Sequence, residues 1–118
     1  PVSMGNVFNK AHGGALTSYV DVATTCALFA FDKKGRSHVS TNLNMEFLSP
    51  ATTGPTDLLY YVDTKVLKIG GKLGFTEAVI RQTDGDGGNE RIVARGTHTK
   101  AFLDQPYKFD LGGVLGFW

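Results

Sequence analysis

Apolar residues recur with a helical period in the first third of the chain and switch to strict alternation after Gly35. The spacing predicts a helix opening at Gly13-Gly14 and running to about Phe31. At about 100° per residue, Leu16, Val20, Ala23 and Ala27 share one narrow stripe, which Tyr19, Cys26, Ala30 and Phe31 widen. A helix this broadly apolar is expected to be buried against a sheet. Asp32-Lys33-Lys34-Gly35 ends it with charge and a helix-stopping glycine. Beyond that point Val39, Thr41, Leu43, Met45 and Phe47 alternate with Ser40, Asn42, Asn44 and Glu46, the pattern of a half-buried strand. Ser49-Pro50 and Gly54-Pro55 are turn chemistry, and further strands are expected over 58–69, 73–82 and 92–103. Gly70-Gly71 and the stretch Asp84-Gly85-Asp86-Gly87-Gly88-Asn89 separate them. Short turns favour antiparallel neighbours, since parallel strands need long crossovers. The economical architecture is α+β, a curved antiparallel sheet wrapped around one long buried helix.

Composition narrows the picture. With 118 residues and 42% apolar content, the chain reads as one domain over 1–118 with a single core. The glycine-broken apolar tail, 104–118, fits none of these elements. A formal charge of +1 argues against a dedicated nucleic-acid binder. Cys26 is the only cysteine, so no internal disulfide is possible. An intracellular setting, cytosolic or mitochondrial, is the simpler expectation. No apolar run is expected to reach membrane-spanning length. Pro1 in place of an initiator Met leads to the expectation that some natural N-terminus precedes this chain.

Candidate chemistry concentrates in an ordered set: Asn6, five residues, His12-Gly13-Gly14, six residues, Asp21. Two glycines at a helix start leave backbone N–H groups unshielded where the helix dipole already favours negative charge. That spot suits the oxyanion of an acyl-transfer intermediate, with His12 beside it to donate to a carbonyl. Asp21 lies roughly 140° around the helix from Leu16, among Thr17, Thr24 and Thr25, and is expected to face a polar surface or cleft. It also lies about eight residues beyond Gly13, or roughly 12 Å along the axis. A carboxylate that far away cannot serve a carbonyl held by its own Gly13. If both act in one site, the site needs two chains, with antiparallel helices bringing Asp21 of one copy to His12-Gly13 of the other. Each residue also has a plainer reading: His12 bonded to backbone, Asp21 solvated, the glycines serving only close packing. The full spacing weighs against them together.

The set Asn-x5-His-Gly-Gly-x6-Asp precedes a strand ending Phe47-Leu48-Ser49-Pro50. Val66-Leu67-Lys68-Ile69-Gly70-Gly71-Lys72-Leu73-Gly74-Phe75-Thr76 and Arg95-Gly96-Thr97-His98-Thr99-Lys100 come later. This ordered set, spanning roughly Asn6 to Lys100, resembles the hotdog-fold acyl-CoA thioesterase family, including the phenylacetyl-CoA thioesterase group and the animal acyl-coenzyme A thioesterases. The resemblance implies a hotdog fold and hydrolysis of an acyl-CoA to free CoA and a carboxylic acid. Asp21 would be general base or nucleophile, and the Gly13 amide with His12 would polarise the carbonyl. Asn6 would orient them, and Ser40 would help place water. Lys68, Ile69, Gly70, Gly71, Lys72 and Leu73 would line the CoA groove, Phe47 would stand near the substrate, and Lys100 would help hold phosphate. CoA is then part of the substrate, and no separate cofactor is expected. The family assembles as homodimers, commonly paired into tetramers. The chain departs from the animal pattern at Asn9, Asn42 and Phe47, and Gly71-Lys72 shifts the turn lysine by one place, which bears on acyl specificity and CoA contacts.

Other motifs fail on spacing. Gly70-Gly71-Lys72 lacks the Ser or Thr and the glycine spacing of a phosphate loop. A calcium loop starting at Asp84 would end on Arg95 where a glutamate is needed. His12, His38 and His98 show no metal-ligand spacing, so no metal is expected. Two rivals remain at this level: a hotdog hydratase or dehydratase acting on thioester-linked chains, and a non-catalytic acyl-CoA binding protein.

Overall fold

The computed structural model describes residues 12–50, 58–84 and 90–106. One helix, α1 (Gly13–Phe31), precedes four strands: β1 (Arg36–Phe47), β2 (Leu58–Ile69), β3 (Leu73–Asp84) and β4 (Glu90–Pro106). All pairings are antiparallel, in the order β1-β4-β3-β2. The α+β layout expected from the sequence is present. The connections from β2 to β3 and from β3 to β4 join neighbours, as their short turns require. The link from β1 to β2 does not: those strands occupy opposite edges, and β1 pairs with β4 instead.

The core lies between α1 and the sheet. Leu16 and Val20 pack with Ala78, Ile80, Val93 and Ala94, and Leu43, Met45 and Val62 lie against them. By length and composition α1 also meets the criterion for a membrane span (mean hydropathy 1.3), which corrects the expectation that no run would. A core helix passes the same test, and here the sheet covers Leu16, Val20 and Leu28.

The buried stripe of α1 is rotated from the expected one. Its centre is Leu16, Val20, Thr24, Thr25 and Leu28, while Tyr19 and Phe31 are 40% and 66% exposed and Cys26 is exposed. Thr24 is admitted to the core because its hydroxyl donates to the Val20 carbonyl oxygen at 2.7 Å, so no hydrogen-bonding hydrogen is stranded.

The pairing of β1 with β4 is irregular at two points, between Arg36 and His38 and between Ser40 and Asn42, and the second changes which side chains of β1 face the helix. Ser40 stands opposite Lys100 and Asn42 opposite Thr99, so Thr41 is an extra residue, a β-bulge. The bulge flips the phase. Before it His38 and Ser40 face the helix, and after it Leu43 and Met45 do. A period-two reading with one phase puts Ser40 on the outer face, and the bulge corrects this.

Asp32 caps the helix C-terminus and is anchored by Arg36. The guanidinium meets the carboxylate at 3.1 Å, with the side chains only 13% and 1% exposed. It also donates to the carbonyls of Gly71 (2.9 Å) and Gly70 (3.3 Å), tying the helix end to the β2–β3 turn. Burial pushes the Asp32 carboxyl up, but the hydrogen bonds from Arg36 and from the Lys34 amide outweigh it and hold the group below its ordinary value.

Candidate active site

Alternation along β4 turns Ala94, Gly96, His98 and Lys100 toward α1, and all four are buried. Helix and strand run side by side: Val20 lies over Gly96, Thr24 over His98 and Thr25 beside Lys100. The helix face that reads as polar in the sequence is therefore pressed onto the sheet, where β4 answers it with two polar side chains. Asp21 sits at its margin, its side chain 18% exposed and Oδ1 3.9 Å from Nδ1 of His98. It lines a half-shielded edge of the helix–sheet seam, and Thr24 and Thr25 are core residues.

Proton directions in this cluster follow from geometry. Thr24 Oγ1 lies 2.7 Å from the Val20 carbonyl oxygen and 2.7 Å from Nδ1 of His98. Two oxygens that close need the hydroxyl hydrogen between them, so Thr24 donates to the helix and His98 must donate through Nδ1–H. Nε2 then carries a lone pair, and Ser40, 2.7 Å away, donates to it. Burial first, then Lys100, lowers the pKa of His98, while Asp21 opposes them; the net depression agrees with a neutral ring. Ser40 is thus fixed by its own proton and offers oxygen lone pairs to any neighbouring donor. A second chain runs from Lys100, whose Nζ donates to Thr25 Oγ1 at 3.0 Å, while Thr25 donates to Asp21 Oδ1 at 3.4 Å.

The structure therefore brings Asp21 and Ser40 into one cluster through His98. It keeps His12 and Gly13 apart from them, since α1 is continuous from Gly13 to Phe31 and the separation stays at roughly 12 Å. His12 is exposed and occupies the N-cap without a side-chain cap bond. The ring of Phe47 sits against Gly13, where a β-carbon would lie 3.1 Å from its Cζ. Glycine there leaves room for the aromatic ring at the first residue of the helix. Asn6 lies outside the described residues. Lys68, Lys72 and Leu73 are exposed around the β2–β3 turn. Ile69, Gly70 and Gly71 line a pocket of about 450 Å³ together with Phe31, Asp32, Lys33, Lys34 and Arg36, three basic residues against one acidic. Lys100 is the exception among the expected CoA contacts: it is 0% exposed beneath the helix, where a phosphate has no approach.

His98, Thr24 and Thr25 were missed by sequence reasoning. The available signals were the inward phase of β4 and the positions of both threonines one turn after Asp21. Among the described residues no group of three His, Cys, Asp or Glu side chains is placed to hold a metal ion.

His38 is a second fully buried histidine, its ring centroid 4.1 Å from that of Phe29 and 5.9 Å from that of Phe102. Burial first, and Lys100 second, push its pKa down to about 4. Below its unfolded value of about 6.5 the unfolded chain takes a proton that the folded chain refuses, so stability is complete above that pH and falls toward pH 4. The expected loss is roughly 3 kcal/mol. Urea titrations at pH 7.5, 5.5 and 4.5 should show it, and His38→Gln should flatten the slope. An unchanged slope would reject the assignment.

Residues 8–88 match the model of the thioesterase superfamily. Human acyl-coenzyme A thioesterase 13 is 32% identical over 95 residues, which cover 80% of this chain and 62% of that enzyme. The chain thus spans less than two thirds of the length of the curated relatives it matches. Mouse thioesterase superfamily member 2 superposes with a TM-score of 0.67 at 28% identity, over 85% of this chain and 67% of that one. A Bacillus halodurans protein solved with CoA superposes with a TM-score of 0.72 at 20% identity, over 87% of this chain and 62% of that one.

Proposed function

Because the chain belongs to the thioesterase superfamily, we propose that it hydrolyses acyl-CoA thioesters at sites completed between two copies of itself. The observation that carries the reading is the uninterrupted helix separating Asp21, with its Ser40–His98 neighbours, from the glycine amides and His12. Neither end alone holds both a base and an oxyanion site. In a two-fold dimer with antiparallel helices, Asp21 of one copy meets Gly13 of the other. The amide would stabilise the oxyanion as it forms. Asp21 would take a proton from water, with Ser40 accepting a hydrogen bond from the same water, or would attack the carbonyl directly. By the first route water adds to the acyl carbon, the C–S bond breaks and the thiolate leaves with the proton taken from that water. By the second the C–S bond breaks as an acyl–Asp21 anhydride forms, the thiolate takes a proton from solvent, and water then hydrolyses the anhydride. The pocket bounded by Phe31, Lys33, Lys34 and the Gly70-Gly71 turn has the charge to receive the phosphates of CoA. Phe47 beside Gly13 would border the acyl chain.

The test is a panel of short, medium, long and aromatic acyl-CoAs scored by release of free thiol. Turnover of at least one class is expected. No thiol release across the panel, with ligand still bound, would replace this reading by that of a binding protein.

A further inference from the structure

We infer that Lys100 is a positioning residue for hydrolysis, acting on Asp21 through the hydroxyl of Thr25. The inference rests on the thioesterase reading and adds to it a group buried beneath the helix. An ammonium with no solvent exposure is costly to hold inside a protein, and an apolar side chain of similar length would fill the same space. Its partners indicate what the charge does. Lys100 has hydrogens to give and no lone pair, so at 3.0 Å the oxygen of Thr25 must accept. The one hydroxyl hydrogen of Thr25 is thereby turned away from the ammonium and toward Oδ1 of Asp21, 3.4 Å distant. The chain has a single direction, ammonium to hydroxyl to carboxylate. It occupies Oδ1 and sets the rotation of the carboxylate, so that the other oxygen is presented to water. Ser40, on β1, is held by a different side chain, His98. The two parts that must act on one water molecule, Asp21 on α1 and Ser40 on β1, are therefore both oriented from β4, through Lys100 and His98 respectively.

The groups facing Lys100 are Asp21 and Cys26 of α1, His38 of β1 and His98 of its own strand, while β3 places Gly74 opposite it. Burial lowers its pKa to about 8 against the pull of Asp21 and Cys26, so the ammonium is present at neutral pH and is lost as the pH rises past that value.

The experiment compares Lys100→Met, Thr25→Val and Thr25→Ser with the unaltered chain, all checked for folding by circular dichroism. Lys100→Met and Thr25→Val should each lower kcat by about 10²-fold with little change in KM, the size expected when a reacting group loses its placement. Thr25→Ser should restore most of the rate. The unaltered protein should show an alkaline limb near pH 8, absent in Lys100→Met. Independently of turnover, the ε-carbon of Lys100, followed by NMR in ¹³C-lysine protein, should titrate at lower pH in Asp21→Asn. If the unaltered protein releases CoA while Lys100→Met and Thr25→Val keep full kcat and the same limb, the inference is wrong. If it releases none, the hydrolase reading fails by itself. A Lys100 resonance indifferent to Asp21→Asn would remove the link in either case.

Discussion

A chain carrying Asp21→Asn is expected to lose 10²- to 10⁴-fold in kcat on any acyl-CoA the unaltered protein hydrolyses, the usual contribution of a positioned base. Asparagine keeps the shape of the side chain and can still accept from Thr25, so the loss would report the missing basicity more than a missing contact. His12→Ala should also be severely impaired, through the oxyanion end. The decisive measurement is on mixtures. An Asp21→Asn subunit paired with a His12→Ala subunit has one site with both defects and one with neither. After equal mixing and random exchange, half the dimers are mixed and half their sites are intact, so about a quarter of the original activity should return. A mixture that stays inactive, with subunit exchange verified by a mass-tagged partner, would show that the two ends of α1 do not meet across a dimer.

The largest expected effect on stability comes from Arg36→Met. It leaves the Asp32 carboxylate, 1% exposed, without its guanidinium, and removes both bonds that pin the Gly70-Gly71 turn. Breaking a buried pair by deleting one member typically costs about 3–5 kcal/mol, because the remaining charge stays buried. The backbone N–H groups of Lys34 and Arg36 still reach Asp32, which places the expectation near the lower figure. The Asp32 carboxyl is held below its ordinary value, so its contribution is present above the unfolded carboxylate pKa and disappears as pH falls through the folded value. Arg36→Met should therefore lose its penalty in acid, and Asp32→Asn combined with Arg36→Met should recover part of the stability at neutral pH. Urea midpoints at pH 7 and in acid for the two variants and the unaltered chain would check this. Equal midpoints for Arg36→Met and the unaltered chain would show that the pair contributes nothing.

Much of this protein is determined by local pattern. Period 3.6 followed by period two required one helix and then strands, and those elements formed at nearly the expected boundaries because each is stabilised by burying its own repeating face. The separation of Asp21 from Gly13 followed from helical rise alone, and no packing detail alters it. Tertiary structure decided what a one-dimensional pattern cannot carry. The bulge at Thr41 moved Ser40 to the inner face, because one extra residue reverses the phase of a strand without any distinctive sequence signal. Thr24 and Thr25 entered the core, because their hydroxyls found a helix carbonyl, His98 and Lys100. Lys100 became an internal ammonium rather than a phosphate contact, because β4 lies parallel to α1 and turns that side chain beneath it. Hydrophobicity assigns residues to a surface or an interior one at a time, whereas the burial of a polar group depends on a partner brought from elsewhere in the chain. That partner is known only after the sheet has closed on the helix.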